Sequence, residues 1–125
     1  MSVVYDAGVL VAAERGDREV WADHRVRLEA GAVPVTTAPV VAHVSRSPQQ
    51  VPLRRFLRGC DVLAFTPEDA HHVGTLLGEA GTTDVVDAHV VLVAEKLRAR
   101  VLTADMNDLL RLAGHTAADV PIIPL

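Results

Sequence analysis

The segment from Gly81 to Asp108 constrains the fold of this chain most strongly, because a helix pattern runs directly into a strand pattern there. From Val85 to Ala99, apolar residues recur at steps of three and four, which is the period of a helix with one buried face. Val101 to Thr103 is a short apolar run typical of a buried strand. A helix followed by a strand is the repeating half of a parallel sheet. The sequence therefore predicts an α/β fold.

Similar patterns fill the rest of the chain, which at 125 residues predicts a single domain over residues 1–125. Four more strands are predicted, at residues 1–5, 33–36, 61–65 and 120–123. Pro34 suggests that the second of these strands lies at a sheet edge, or that the proline marks its entry. A first helix is predicted from Val9 to Ala13, and a second one, after a break at Gly16, runs to about Ala30. The remaining predicted helices follow Thr37, cover residues 50–58, run from Thr66 to about Gly78, and follow Asp108.

Acidic residues occupy the ends of these predicted elements. Asp6 follows the first strand, Asp105 follows the strand after the Gly81 helix, and Asp84 and Asp87 share the first turn of that helix. Thr82 and Thr83, just before them, are residues of the type that caps a helix N-terminus. Ligands of parallel α/β sheets collect at the carboxyl ends of the strands, where Asp105 would lie.

Several carboxylates in one small cleft repel one another unless a divalent cation or shared protons offset their charge. Mg²⁺ and Mn²⁺ prefer oxygen ligands, and such ions can activate water for phosphodiester hydrolysis. Asp6, Asp87 and Asp105 are the candidates for this site. Asp84 and Asp108 are equally well explained as exposed aspartates at helix starts.

Other site chemistries have less support in the sequence. A formal charge of −4 argues against general electrostatic binding of nucleic acid. No phosphate-binding glycine loop follows a strand. The adjacent His71 and His72 point apart on a helix and cannot both bind one ion, so a zinc site is not expected. His89 is expected to point away from Asp87. Without a membrane-length apolar run or a basic N-terminal region, the chain is expected to be cytoplasmic.

Three segments resemble, in order and spacing, the acidic motifs of PIN-domain proteins, and most closely those of VapC-type toxins of bacterial, actinobacterial-like toxin–antitoxin pairs. They read VVYDAGVL from Val3, TTDVVDA from Thr82 and VLTAD from Val101. The resemblance implies a Rossmann-like three-layer α/β/α sandwich with a central parallel sheet. It also implies a homodimer that cuts RNA with Mg²⁺ or Mn²⁺ and is blocked by a small VapB-like antitoxin.

The same resemblance assigns residues to roles. Asp6, Asp87 and Asp105 match the metal-binding and catalytic acids, whereas Asp84 and Asp108 match more variable auxiliary positions. The second acid of the family, usually a glutamate, falls on His43, and Arg46 matches the arginine of the same motif. Neutral imidazole removes one negative charge and is a poor Mg²⁺ ligand.

This departure leaves two functions open. The first is an active metal-dependent ribonuclease toxin, with reduced activity or a different metal preference. The second is a catalytically impaired PIN module that binds RNA or an antitoxin-like partner. A third reading, a receiver-like or phosphatase domain, is weak because the only lysine, Lys96, lies inside a predicted helix and not at a strand end.

Overall fold

The computed structural model describes residues 2–125, so the predicted strand residue Met1 lies outside the described part of the chain. The five strands are β1 (Val3–Tyr5), β2 (Val35–Thr37), β3 (Asp61–Leu63), β4 (Arg100–Thr103) and β5 (Ile122–Pro124). The helices are α1 (Ala7–Glu14), α2 (Arg18–Glu29), α3 (Ala38–Val44), α4 (Val51–Leu57), α5 (Pro67–Ala80), α6 (Val85–Leu97) and α7 (Met106–Ala113).

All five strands are parallel and form one sheet in the order β3-β2-β1-β4-β5. Val4 of β1 pairs with Val35 of β2 on one side and with Val101 of β4 on the other. Every residue of β1 is buried, which places this strand at the centre of the core. The predicted α/β class with a central parallel sheet is confirmed.

The helices form two groups that cover the sheet. In the first group α1 packs against α2, α3 and α4, and in the second α6 packs against α5 and α7. Helix α6 also contacts β1, β2 and β4. Because α6 lies between the sheet and its neighbouring helices, Ala88, His89 and Val91 are buried in addition to the predicted apolar stripe. The predicted stripe ends early, since Leu97 is 41% exposed.

Several predicted boundaries were wrong by a few residues. Strand β2 begins after Pro34 and lies between β1 and β3, so the proline marks a strand entry and not a sheet edge. Helix α5 continues to Ala80 and ends where Gly81 adopts a left-handed backbone with φ of +69°. Helix α7 begins at Met106, ahead of Asp108. Within residues 2–125, none of the helices combines the length and the hydrophobicity that crossing a lipid bilayer requires.

The N-cap of α6 also differs from the prediction. Asp84, and neither Thr82 nor Thr83, caps the helix, because its Oδ1 accepts a hydrogen bond of 2.9 Å from the backbone N–H of Asp87. A carboxylate at this position satisfies a free N–H group and also suits the positive end of the helix dipole. The two threonine side chains are therefore not used in capping.

Candidate active site

The sheet has a topological switch point between β1 and β4. From β1 the sheet order continues through β2 and β3 on one side and through β4 and β5 on the other. In open α/β sheets, ligands bind in the crevice at the carboxyl ends of such a strand pair. Asp6 directly follows β1, and Asp105 follows β4 after one intervening residue. The strand order thus brings together two acids that lie almost a whole chain apart.

A cavity of about 260 Å³ opens at this point, and we call it the carboxylate cavity. All five predicted acids line it, and so does the predicted auxiliary histidine. Its lining residues are Asp6, Ala7, Gly8, His43, Asp84, Val86, Asp87, Ala104, Asp105 and Asp108.

Asp6 is held in a defined orientation although it is buried. Its Oδ2 accepts a hydrogen bond of 2.7 Å from the hydroxyl of Thr103, while its Oδ1 is buried without a hydrogen-bond partner. The Thr103 hydroxyl in turn accepts a hydrogen bond of 2.9 Å from the backbone N–H of Asp105. Thr103 therefore connects the two acids, a role that sequence reasoning missed. The available signal was a hydroxyl residue at the last position of a buried strand.

Gly8 allows the two acidic segments to approach each other. A Cβ atom added at Gly8 would lie only 2.6 Å from the Cβ of Ala104, which is closer than real Cβ atoms come. The start of α1 therefore packs directly against the residue between Thr103 and Asp105. This contact sets the distance between the loop that follows β1 and the loop that follows β4.

Asp87 has the most perturbed ionisation in the cavity. Burial, followed by the negative charges of Asp6 and Asp84, raises the pKa of Asp87 to about 7. On the rim, a hydrogen bond to Asp105 and the charge of that residue raise the pKa of the exposed Asp108. Repulsion between negative charges in this cavity therefore contributes to both shifts, after burial for Asp87 and the hydrogen bond for Asp108.

A hard divalent cation would fit this donor set chemically. The side chains supply carboxylate oxygens, the buried Oδ1 of Asp6 has no partner, and a cation would offset the repulsion that raises the pKa of Asp87. Across residues 2–125, however, no three acidic, histidine or cysteine side chains are grouped closely enough to hold a metal ion as they stand. Side-chain rearrangement would have to accompany binding of a cation.

His43 and Arg46, which fall on the motif where the family usually has a glutamate and an arginine, lie in different surroundings. His43 is exposed on α3 and lines the carboxylate cavity. Arg46 does not line this cavity, and its guanidinium instead donates to the backbone carbonyls of Ser45 and Ala42, at 2.8 and 3.4 Å. These bonds satisfy carbonyls at the C-terminal end of α3, so Arg46 has a structural contact where it lies.

His89, as expected, points away from Asp87. It is buried in a different and larger cavity of about 680 Å³, where its Nε2 lies 3.5 Å from Oδ2 of Asp69. Burial lowers the pKa of His89. Lys96 lines this same cavity and not the one that holds the acids, which removes the basis for a receiver-type phosphoryl site.

Comparison with solved structures supports the fold. No protein-family model and no curated protein matches the chain by sequence. VapBC2 from Rickettsia felis, bound to a DNA fragment from its promoter, superposes with a TM-score of 0.73 at 15% identity, over 100% of this chain and 99% of that one. The chain has a PIN-like fold.

Two further structures agree with this assignment. A toxin–antitoxin complex from Klebsiella pneumoniae has a TM-score of 0.69 at 18% identity, and it covers 94% of this chain and 99% of that one. FitAcB from Neisseria gonorrhoeae has a TM-score of 0.61 at 13% identity, covering 97% and 96%. The PIN-like fold thus extends over nearly the whole chain in each comparison. At these sequence identities the similarity concerns the fold alone.

Proposed function

We propose that this protein is a metal-dependent endoribonuclease of the PIN and VapC type, which hydrolyses RNA phosphodiester bonds as a toxin. One observation carries the proposal. Asp6, Asp87 and Asp105 come from three separate segments and line a single cavity at the switch point of the sheet. Within it, one buried carboxylate oxygen of Asp6 has no partner in the protein.

In this proposal Asp6, Asp87 and Asp105 hold Mg²⁺ or Mn²⁺, and Asp84 and Asp108 add negative charge at the rim. When bound, such a cation lowers the pKa of a water molecule and stabilises the charge that develops on the phosphate. Thr103 occupies Oδ2 of Asp6, so the unpartnered Oδ1 is the oxygen left to bind a ligand. The shared Thr103 contact also fixes the position of the Asp105 backbone relative to Asp6.

The test compares RNA cleavage by the native chain and by Asp6→Asn, with added Mg²⁺ or Mn²⁺ and with chelator. Loss of cleavage in Asp6→Asn and in chelator is expected. The matched control is Asp119→Asn, which removes one exposed aspartate outside the carboxylate cavity and should cleave as the native chain does. Circular dichroism checks that each variant folds. Equal cleavage by Asp6→Asn and the native chain would remove the assignment.

A second candidate function, a catalytically impaired module, is favoured by a separate observation. His43 lines the carboxylate cavity where the PIN motif usually supplies a glutamate, and no three ligands there are grouped for a metal as they stand. A catalytically impaired module that binds RNA or an antitoxin-like partner would take up Mn²⁺ weakly or not at all in calorimetry. His43→Glu distinguishes the two functions, because a gain of cleavage or of Mn²⁺ affinity would show that the rest of the site is competent.

We also propose a small VapB-like antitoxin as partner, and a homodimer as the working form. Support for the antitoxin comes from similar structures that are themselves toxin–antitoxin complexes. Growth arrest on expression, relieved by co-expressing a small neighbouring gene, is the expected result for a toxin.

For the homodimer, light scattering of the purified chain should give a molar mass twice that of the 13.4 kDa chain, and a monomeric mass would contradict it.

A further inference from the structure

A second cavity, of about 270 Å³, opens beside the carboxylate cavity, and we call it the Arg111 cavity. The two share a wall made by three acids, so one extended ligand could occupy both. The Arg111 cavity is lined by Thr82, Thr83, Asp84, Asp87, Asp108, Arg111 and Leu112. Its residues come from the segment that follows α5, the start of α6, and α7.

The hydroxyl groups of Thr82 and Thr83 are free to bind a ligand. Asp84 takes the capping bond of α6, and the hydrogen bonds within residues 2–125 include none from either threonine hydroxyl. The left-handed backbone of Gly81 ends α5 immediately before these threonines. Two hydroxyl donors are therefore presented side by side in a cavity, without a role in holding the helix.

The guanidinium of Arg111 is likewise unpaired. Arg111 is exposed on α7, three residues after Asp108 and thus on the same helix face. Among the described residues, the one ion pair within 4 Å joins His89 to Asp69, so Arg111 makes no salt bridge, although its charge partly offsets the rise in the pKa of Asp108. Arginine presents several N–H donors in a planar arrangement that matches a phosphate group.

The ligand that fits this combination is a phosphate that belongs to a polymer. Arg111 and the two hydroxyls supply donors for phosphate oxygens, whereas Asp84, Asp87 and Asp108 on the shared wall would repel a small free anion. In RNA, the scissile phosphate held in the carboxylate cavity is linked covalently to the next phosphate along the strand. This link presents the second phosphate to the Arg111 cavity at high effective concentration, which offsets the repulsion.

We propose that the Arg111 cavity binds the RNA backbone phosphate next to the scissile one. Arg111 is then a positioning residue that fixes the path of the strand across the acidic site. This inference rests on the proposed ribonuclease function. It adds that the bound RNA strand extends from the carboxylate cavity toward α7.

The first experiment measures cleavage by Arg111→Gln on two substrates. One is a single-stranded RNA oligonucleotide, and the other is a dinucleotide whose only phosphate is the scissile one. We expect KM for the oligonucleotide to rise about tenfold, as for loss of one charge-assisted contact, with kcat little changed. The dinucleotide should be cleaved as before. The matched control is Arg25→Gln, which removes an exposed arginine of α2.

An equal loss on both substrates would overturn the proposal, since Arg111 would then act on the chemistry or on the fold. No effect on either substrate would overturn it as well. Thr83→Val gives an independent check, because it should raise KM for the oligonucleotide alone, and by less than Arg111→Gln does.

The second experiment separates this inference from the proposed function. RNA binding is measured against salt concentration in the non-cleaving variant Asp105→Asn, with and without Arg111→Gln. Loss of one phosphate contact should reduce the slope of log affinity against log salt by about 0.7. An unchanged slope would overturn the phosphate site. A reduced slope, together with a native chain that cleaves no RNA with Mg²⁺ or Mn²⁺, would retain the site and reject the ribonuclease function.

Discussion

Thr103 shows how a single buried hydroxyl organises the carboxylate cavity. It donates to Oδ2 of Asp6 and accepts from the backbone N–H of Asp105, so one side chain links the ends of β1 and β4. Residues that hydrogen-bond to a metal-ligating side chain, without touching the metal, often matter nearly as much as that side chain itself. The roles of the acids in this cavity thus depend on a neutral residue between them.

Thr103→Val keeps the volume of the side chain and removes both hydrogen bonds. We expect cleavage and Mn²⁺ affinity to fall by about 10- to 100-fold, because Asp6 loses its orientation. The free energy of unfolding should fall by about 1–3 kcal/mol, since a buried carboxylate oxygen loses its partner. Enzyme assay, calorimetry and denaturant titration measure these effects. Thr103→Ser, which keeps the hydroxyl, should stay close to the native chain, and an equally impaired serine variant would refute this explanation.

The raised pKa of Asp87 leads us to expect that the stability of the metal-free protein depends on pH. Its folded pKa of about 7 lies above the value of about 3.9 for a free aspartate, so the folded state holds this proton more tightly than the unfolded chain does. The stabilisation from this proton is complete below about pH 4 and is lost as the pH rises through about 7.

Thermal unfolding in chelator, at about pH 5 and about pH 8, checks this dependence. We expect the melting temperature of the native chain to fall more over this interval than that of Asp87→Asn, which carries no titrating group at this position. Added Mg²⁺ or Mn²⁺ should reduce the difference at the higher pH. Parallel pH profiles for the two chains would show that Asp87 is ionised normally.

At the scale of elements, the N-terminus of α6 and the loops beside it set the shape of both cavities. Asp84 caps the helix, so the preceding threonines remain in the Arg111 cavity. Gly8 allows the start of α1 to pack on the end of β4. The cap joins residues three apart, whereas Gly8 meets Ala104 from the other end of the chain, and each contact decides which side chains face a cavity.

Asp84→Ala should lower the free energy of unfolding by about 1 kcal/mol, because the helix loses its N-cap. Thr83→Ala should change it by less than about 0.5 kcal/mol, as is usual for surface positions without such a role. Denaturant titration compares the two variants. A larger loss in Thr83→Ala than in Asp84→Ala would mean that the threonine is the true cap.

Gly8→Ala should lower the free energy of unfolding by about 1–3 kcal/mol, because the new methyl group would collide with Ala104. Adding Ala104→Gly removes the other methyl group and should recover much of that loss. Gly74→Ala is the control: no atom lies within 4 Å of its added Cβ, and the glycine is inside α5, so this variant should be slightly stabilised. Additive losses in the double variant would contradict the proposed collision.

Across the whole molecule, aromatic side chains join the first helix group to the central strand. Phe56 of α4 stacks on Tyr5 of β1 with ring centroids 5.5 Å apart and on His24 of α2 at 3.9 Å. Tyr5 also bonds to Nδ1 of His24 through its hydroxyl, at 2.9 Å. The strand that precedes Asp6 is thereby fixed by two helices that supply no residue to the carboxylate cavity.

Phe56→Ala should lower the free energy of unfolding by about 3–5 kcal/mol, because it leaves a cavity where α2, α4 and β1 meet. Leu57→Ala, at the neighbouring and only partly buried position, should cost less. Denaturant titration of both variants measures the difference. Equal losses would show that the aromatic cluster does not carry the contact between these elements.

Local patterns in the chain were enough to predict the α/β class, most element positions and the five acids near element ends. Apolar periodicity reports which faces are buried, and turn and cap residues report where elements stop, so both can be read locally. The resemblance of three short motifs added the PIN-like fold. It also singled out His43, which lines the carboxylate cavity, and Arg46, whose guanidinium bonds to backbone carbonyls outside it.

The folded structure was needed to establish that β1 lies beside β4, and hence that Asp6 and Asp105 meet across a shared Thr103. It also decided that Asp84 caps α6, which leaves two threonine hydroxyls beside Arg111. The choice of cap is a local contact between Asp84 and the backbone N–H of Asp87. Strand order instead follows from how distant segments pack on one another. That packing is a property of the whole core, and no local pattern in the chain encodes it.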